Sequence, residues 1–323
     1  MLENIKNDMN ENILRKACNL IDVDLKDLKF AGGFENFLYS FHRDSEIMLR
    51  LSHSDHRCLE QINAEIDFIK YLAVNGVSVN KPVPLNNGKL IDTISFNEKY
   101  FSVCCFEKVE GEHLKLEDIN DEFIFNYGKI IGKTHYLSKS FKPKYKRIEW
   151  YEDTYLDDHL IHFSEKDVII VETLNVLLED INKIPKTKEN YGLIHTDMHR
   201  GNFFVKENKL NLFDFDDASY MYFISDIAIV LFYLFVLDKP DHEQNEIEHF
   251  YDVFMEGYNS ENILPSECFY HMKLFLELRR IELYAICVSE FSNELRPEWA
   301  TNYINTHKER IIDRDHVIDL EFK

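Results

Sequence analysis

The stretch 191–217, YGLIHTDMHRGNFFVKENKLNLFDFDD, constrains this chain more than any other. Short apolar runs at 192–195 and 202–205 enclose a polar loop, and a third run, 210–215, follows a Lys206-Glu207-Asn208-Lys209 turn. The pattern reads as strand, loop and hairpin. On that frame lie His195, Asp197, Asn202, Asp214, Asp216 and Asp217, so acidic and amide oxygens are expected to converge near the ends of adjacent strands. Such a cluster can hold a hard divalent cation and leave one carboxylate as a base.

The length, 323 residues with 45% hydrophobic content, is enough for about two domains with real cores. Glu3, Asp8, Glu11, Asp22 and Asp24 interrupt the first 25 residues, which excludes a signal-peptide core there. The longest apolar run, 227–237, is about half of what a membrane span needs, so a cytoplasmic protein is expected. The six cysteines are scattered without CxxC spacing, which argues for reduced thiols rather than a zinc ribbon or a disulfide scaffold. A formal charge of -21 repels nucleic acid and anionic membranes and favours a cationic small partner.

Read in order, apolar spacing predicts a helix over 10–20, then three strands at 28–33, 37–43 and 46–52 that open on the Gly32-Gly33 turn. An amphipathic helix over 55–75 ends at Gly76, and a hairpin of 89–95 and 100–109 follows. Beyond Glu110-Gly111-Glu112 nearly every periodic segment is helical: 122–138, 168–184, 246–258, 266–291 and 299–312. The segment 141–155 is basic and aromatic without clear periodicity. A small α+β part followed by a larger helical part is the expected architecture, with the boundary at 107/108.

Five pieces then need one explanation: a glycine turn, a strand bearing Arg50, a helix bearing Glu65, a linking hairpin and the polar loop. Phosphoryl transfer requires such parts, because the enzyme must cover nucleotide phosphates, neutralise their charge and orient an acceptor in line. The pattern H-x-D-x-x-x-x-N followed by D-F-D resembles the aminoglycoside phosphotransferase and choline kinase family, over about residues 28–237. That resemblance implies a bilobal protein-kinase-like fold, with a nucleotide-binding N-terminal lobe (1–107) of antiparallel sheet and one main helix, and a mostly helical catalytic lobe (108–323). It also implies a kinase that moves the γ-phosphoryl group of ATP, or GTP, to a hydroxyl of a small acceptor with Mg2+.

In the family's terms Asp197 is the base, Asn202 and Asp214 hold Mg2+, His195 packs the loop, and Asp226 ties the loop down through backbone hydrogen bonds. Asp216 is either a second metal contact or a cap. Gly32 and Gly33 would cover the phosphates, and Phe106, Glu107 and Val109 would form the hinge that meets the adenine edge. Arg50 stands where the family usually has lysine for the α and β phosphates, with Glu65 as its partner; the change is not conservative.

Three rivals stand beside this reading. His195-x-Asp197-x-His199 is also a zinc- or iron-type array, which would make a metallohydrolase. The Arg50 substitution would suit a pseudokinase that binds nucleotide without turnover. A protein substrate is disfavoured, because Asp214 to Asp226 leaves no room for a long activation segment. For the acceptor, Trp150, Tyr151, Tyr220, Tyr222, Phe223 and Tyr284 are candidate walls, Glu277, Glu282 or Glu290 candidate partners for an ammonium group, and Arg279-Arg280 would equally suit a carboxylate.

Overall fold

The computed structural model describes residues 3–33, 35–153, 155–290 and 296–322. Six strands form one antiparallel sheet: β1 (Lys29–Gly32), β2 (Phe37–His42), β3 (Glu46–His53), β4 (Pro82–Val83), β5 (Ile91–Phe96) and β6 (Lys99–Glu107). Their order is β1-β2-β3-β6-β4, and β5 pairs with the part of β6 that β4 leaves. Alternation along β6 splits the sheet between two cores, since successive side chains point to opposite faces. Phe101, Val103 and Cys105 pack with Ile13, Ala17 and Ile21 of helix α2 (Glu11–Ile21), which follows α1 (Glu3–Asp8). Cys104 and Phe106 belong instead to the core built on Ile62, Ile66 and Ile69 of α3 (Leu59–Val74).

The remaining helices are α4 (Asp121–Ser138), α5 (Tyr155–Leu160), α6 (Val168–Asn182), α7 (Phe223–Phe232), α8 (Gln244–Asn259), α9 (Met272–Ser289) and α10 (Glu298–Ile312). An α+β chain results, with the six-stranded antiparallel sheet in its N-terminal part and most of the helices after it. Asn10 caps α2 by accepting from the backbone N–H of Asn12 and Ile13, and Asn120 caps α4 through Phe123, as polar side chains at those positions do. The α3 helix starts four residues later than its periodicity suggests, because residues 54–57 are taken up in a turn. Of the run 266–291, the first six residues form a 3-10 turn, and Phe291 lies outside the described residues.

Two further differences matter for the site. The strand β7 (Tyr191–Ile194) pairs with β10 (Ser219–Tyr222), not with the hairpin of β8 (Phe203–Lys206) and β9 (Lys209–Leu212). Apolar alternation identifies strands but not their partners, and β10 carries too little alternation to announce itself. The hairpin is anchored to the α3–β4 connection and to the linker after β6, through bridges Val79 to Leu212 and Glu112 to Val205.

The helical part closes on a tight crossing of α4 and α8. A Cβ on Gly128 would lie 1.9 Å from the carbonyl oxygen of Phe254, and one on Gly257 would lie 2.0 Å from that of Phe125. Only glycine lets the two backbones approach so closely. That crossing brings Tyr127 and His135 of α4 under the polar loop.

Candidate active site

The loop between β7 and β8 is held from below. Asp226, in the first turn of α7 and fully buried, accepts from the backbone N–H of Thr196 at 2.9 Å and of His195 at 3.4 Å. His135 Nε2 is 3.0 Å from the same carboxylate, and its Nδ1 is 2.9 Å from the Tyr258 hydroxyl. Thr196 sits at φ +63, a conformation costly for a β-branched residue. Its hydroxyl lies 2.7 Å from the carbonyls of both His195 and Asp217, which locks that conformation in place. His195 is buried, with Nε2 at 3.0 Å from the Phe213 carbonyl and its ring against Phe215.

On this base the loop presents Asp197. Its Oδ2 accepts from Asn202 Nδ2 at 2.7 Å and lies 3.1 Å from His199 Nε2, while Oδ1 accepts from Arg279 of α9. Burial would raise this carboxyl, but His199 and Arg279 beside it outweigh that and hold it below the usual carboxylate range. Because the Asn202 amide nitrogen is engaged by Asp197, its oxygen is the atom left for a cation.

Asp214 follows β9 in a left-handed conformation, φ +62, and opens to solvent. Packing around the side chain, and then Asp216, raises its carboxyl, against Arg50, and its exposure to solvent tempers that rise. A carboxylate and an amide oxygen are both hard donors of the kind that suits Mg2+, and the Phe213 N–H, donated to Asn202 O at 3.0 Å, ties the segment before Asp214 to Asn202.

Arg50 and Glu65 form a forked ion pair: Nη1 to Oε1 at 2.8 Å and Nη2 to Oε2 at 2.5 Å, with residue exposures of 3% and 1%. The guanidinium also lies over the Phe106 ring at 5.2 Å and 3.7 Å from Asp216. Asp216 is turned onto cations, with His56 Nε2 at 2.5 Å and Arg57 Nε at 3.7 Å. Burial would raise it, but His56, Arg57 and Arg50 together hold it well below its ordinary value. Arg57 continues the network to Asp153 at 3.1 Å and Asp217 at 2.9 Å.

Among the described residues one trio brings three ligand-type atoms within 4.8 Å of one another, Glu35, His56 and Asp216. With Arg57 and Arg50 both against Asp216, it is an ion-pair network. His195 and His199 do not converge: the first serves a backbone carbonyl, the second Asp197. The H-x-D-x-H array is therefore not a metal centre here.

Gly32 and Gly33 have φ +104 and +117, so the β1–β2 turn needs residues without a Cβ; Phe34 lies outside the described residues. Of the residues expected to form a hinge, Phe106 is buried with Arg50 over its ring, and Val109 is half-buried. The Glu107 N–H is donated to Lys81 O at 2.8 Å.

Four functional positions escaped the reading of the sequence. Arg147, 1% exposed, donates to the carbonyls of Asp216 and Ala218 and to Gln61 O at 3.0 Å, tying the 216–218 backbone to α3. It lies in an aperiodic stretch that offers no signal. His135 and the His56-Arg57 pair act through contacts 91 and 160 residues apart. Arg279 was visible only as a cation of unknown partner.

Two cavities flank Asp197. One of about 290 Å³ is lined by Trp150, Tyr151, Asp217, Arg279 and Glu282, and the other, of about 730 Å³, by His199, Tyr233, Trp299, Tyr303 and His307. Of the expected acceptor walls, Tyr222, Phe223 and Tyr284 are instead core residues. Arg280 is buried beside Glu277 and holds the carbonyls of Arg310 and Asp315.

The profile of the phosphotransferase enzyme family matches residues 28–262. The amicoumacin kinase of Bacillus subtilis strain 168 is 30% identical over 283 residues, covering 85% of this chain and 84% of that protein. A solved amicoumacin kinase, in complex with AMP-PNP, Ca2+ and Ami, superposes with a TM-score of 0.93 at 27% identity, covering 100% of this chain and 99% of that one. A spectinomycin phosphotransferase structure shares the fold, with a TM-score of 0.62 at 15% identity over 94% of this chain and 98% of its own.

Proposed function

Because this chain belongs to the phosphotransferase enzyme family and is a small-molecule kinase, we propose that it transfers the γ-phosphoryl group of ATP to a hydroxyl of a small, amine-bearing acceptor. The observation that carries this reading is the Asp197–Asn202 pair on one clamped loop, together with the buried Arg50–Glu65 fork, which reaches Asp216 two residues after Asp214. The relative solved with AMP-PNP supports a nucleotide as the phosphoryl donor.

In this mechanism Asp197 receives the hydrogen bond of the acceptor hydroxyl and aims its oxygen at the γ-phosphorus. Its depressed basicity suits an orienting role, with the proton crossing late as the new P–O bond forms. Arg50, kept in place by Glu65, faces the α and β phosphates. Asn202 and Asp214 would hold Mg2+, which supplies charge neutralisation on the phosphates. Asp216 organises Arg50, His56 and Arg57, and Gly32 and Gly33 cover the nucleotide. The adenine edge meets the backbone about Phe106 to Val109, and the boundary between the two lobes falls at 107/108, where β6 ends.

The acceptor's charge follows from the lining of the smaller cavity. Among the described residues its lining carries Asp153, Asp157, Asp217 and Glu282 against one arginine, Arg279, while Arg57 pairs with Asp153 and Asp217. Burial, ahead of other causes, raises both Asp217 and Glu282 above the ordinary range. An ammonium group entering there meets carboxylate oxygens that can accept its N–H bonds and gains binding energy. A Mg·ATP-coupled screen of amino alcohols, aminoglycosides, amicoumacin and neutral hydroxyl compounds tests the reading. We expect turnover with an amine-bearing member and its loss, by about 10²-fold or more, in Asp197→Asn. Undiminished turnover in Asp197→Asn removes Asp197 from its role.

A further inference from the structure

The two oxygens of Asp197 are not equivalent. Oδ2 faces donors from its own loop, Asn202 Nδ2 and His199 Nε2. The Gly201 N–H donates to His199 Nδ1 at 2.9 Å, which puts the ring proton on Nε2, facing Asp197. Oδ1 is therefore the oxygen left for an acceptor hydroxyl, and Arg279, from a helix 82 residues further along the chain, sits on it.

Arg279 is held there by a surround rather than by its own helix. Its Nη2 also donates to the Tyr233 hydroxyl at 2.6 Å, and Nη1 donates to Glu282 at 3.3 Å. His199 stacks on the Tyr233 ring, with centroids 4.3 Å apart. Arg279, Tyr233 and His199 thus make a wall with the 290 Å³ cavity on one side and the 730 Å³ cavity on the other. Two features make the wall movable. Arg279 Nε is buried without a partner, so the guanidinium is not saturated where it stands. Glu282 already touches Arg279, so leaving Asp197 exchanges one carboxylate for another instead of stranding a buried charge.

We propose that Arg279 is a positioning and gating residue: it occupies the acceptor's seat on Asp197 until an acceptor displaces it towards Glu282. The inference rests on Asp197 orienting the acceptor in a kinase. Its consequence concerns water, the competing acceptor always present. Hydrolysis requires a water on Oδ1 whose oxygen bonds to the γ-phosphorus as the bond to the β–γ bridging oxygen breaks. ADP leaves, and the water's proton passes by way of Asp197 to solvent or to the phosphate released. With Arg279 on Oδ1 that water has no seat, and nucleotide is conserved until an acceptor arrives.

The test needs no knowledge of the acceptor. Full-length wild type, Arg279→Met, Arg279→Lys and Tyr233→Phe are compared for Mg·ATP hydrolysis without acceptor, and for AMP-PNP affinity by titration. Arg279→Met is expected to raise hydrolysis on the order of tenfold, the amount that about 1.4 kcal/mol of lost obstruction produces. Tyr233→Phe, which frees one guanidinium bond, raises it less, and Arg279→Lys, which keeps a cation within reach of Asp197, restores the low rate. AMP-PNP affinity stays at the wild-type value, because Arg279 lies on the acceptor side.

A residue that only supports the fold would lower hydrolysis on removal. If Arg279→Met fails to fold, the rise in Tyr233→Phe carries the test. Wild-type AMP-PNP affinity with no gain in hydrolysis, in the variants that fold, overturns the gate and leaves the kinase reading standing. Absence of nucleotide binding in the wild type removes both.

Discussion

Replacing Glu65 by glutamine turns one of the two acceptors facing Arg50 into a donor aimed at a donor. Both partners are nearly inaccessible, at 3% and 1% exposure, so solvent cannot step in. Removing one member of such a pair costs about 3–5 kcal/mol. Asp216, 3.7 Å from the guanidinium, remains as a second countercharge and places the expected loss at about 3 kcal/mol, the lower end. Unfolding entropy of about 2.1 cal/mol/K per residue gives about 0.7 kcal/mol/K for a chain of this length, so Glu65→Gln is expected to lower Tm by about 4 °C. The double variant Arg50→Met/Glu65→Leu replaces the pair by apolar groups and is expected to recover most of that loss. It should nevertheless fail to bind AMP-PNP, because the charge we propose to meet the phosphates is gone. Differential scanning calorimetry and a nucleotide titration measure the two quantities separately. An unchanged Tm in Glu65→Gln, or a double variant no more stable than the single, would refute the buried-pair argument.

Other outcomes follow from the same structure. Asp226→Asn puts an amide donor against the N–H groups of His195 and Thr196, and is expected to lower kcat about 10–100-fold with AMP-PNP affinity nearly unchanged, as read by steady-state kinetics. Gly128→Ala forces α4 away from the Phe254 carbonyl and should cost about 1–3 kcal/mol in urea unfolding. His307, stacked on Tyr303, is lowered to about 4 by burial and then by Arg280 and Arg310. With its folded value below its ordinary 6.5, the unfolded chain binds more protons between pH 6.5 and 4. The contribution of His307 is therefore complete above pH 6.5 and is lost as pH falls towards 4. At pH 5 the loss is about 2 kcal/mol, and His307→Phe should flatten the fall in Tm between pH 7 and 5.

Much of the site was legible along the chain because its parts are local. Asp197 and Asn202 stand five residues apart on one loop, so their spacing placed those two together, and the apolar run before Asp214 marked the strand it follows. Arg50 and Glu65 were also readable as a pair, since a strand followed by an amphipathic helix brings an inward residue of each to the same face. The partnership of β7 was not legible, because alternation says which residues form a strand and nothing about the strand beside it.

The same division separates the chemistry of the site from its control. Residue type and spacing are enough to specify a donor set, which is why the phosphoryl-transfer reading needed only the loop and the lobe before it. What clamps the loop, His135 under Asp226 and Arg147 on the 216–218 backbone, comes from distant segments with no periodicity to mark it. Arg279 was anonymous in sequence as one of two adjacent arginines on a helix. Only the packing of α9 against the loop put one on Asp197 and buried the other beside Glu277, because a helix turns successive side chains about 100° apart and the neighbours decide which face is the site.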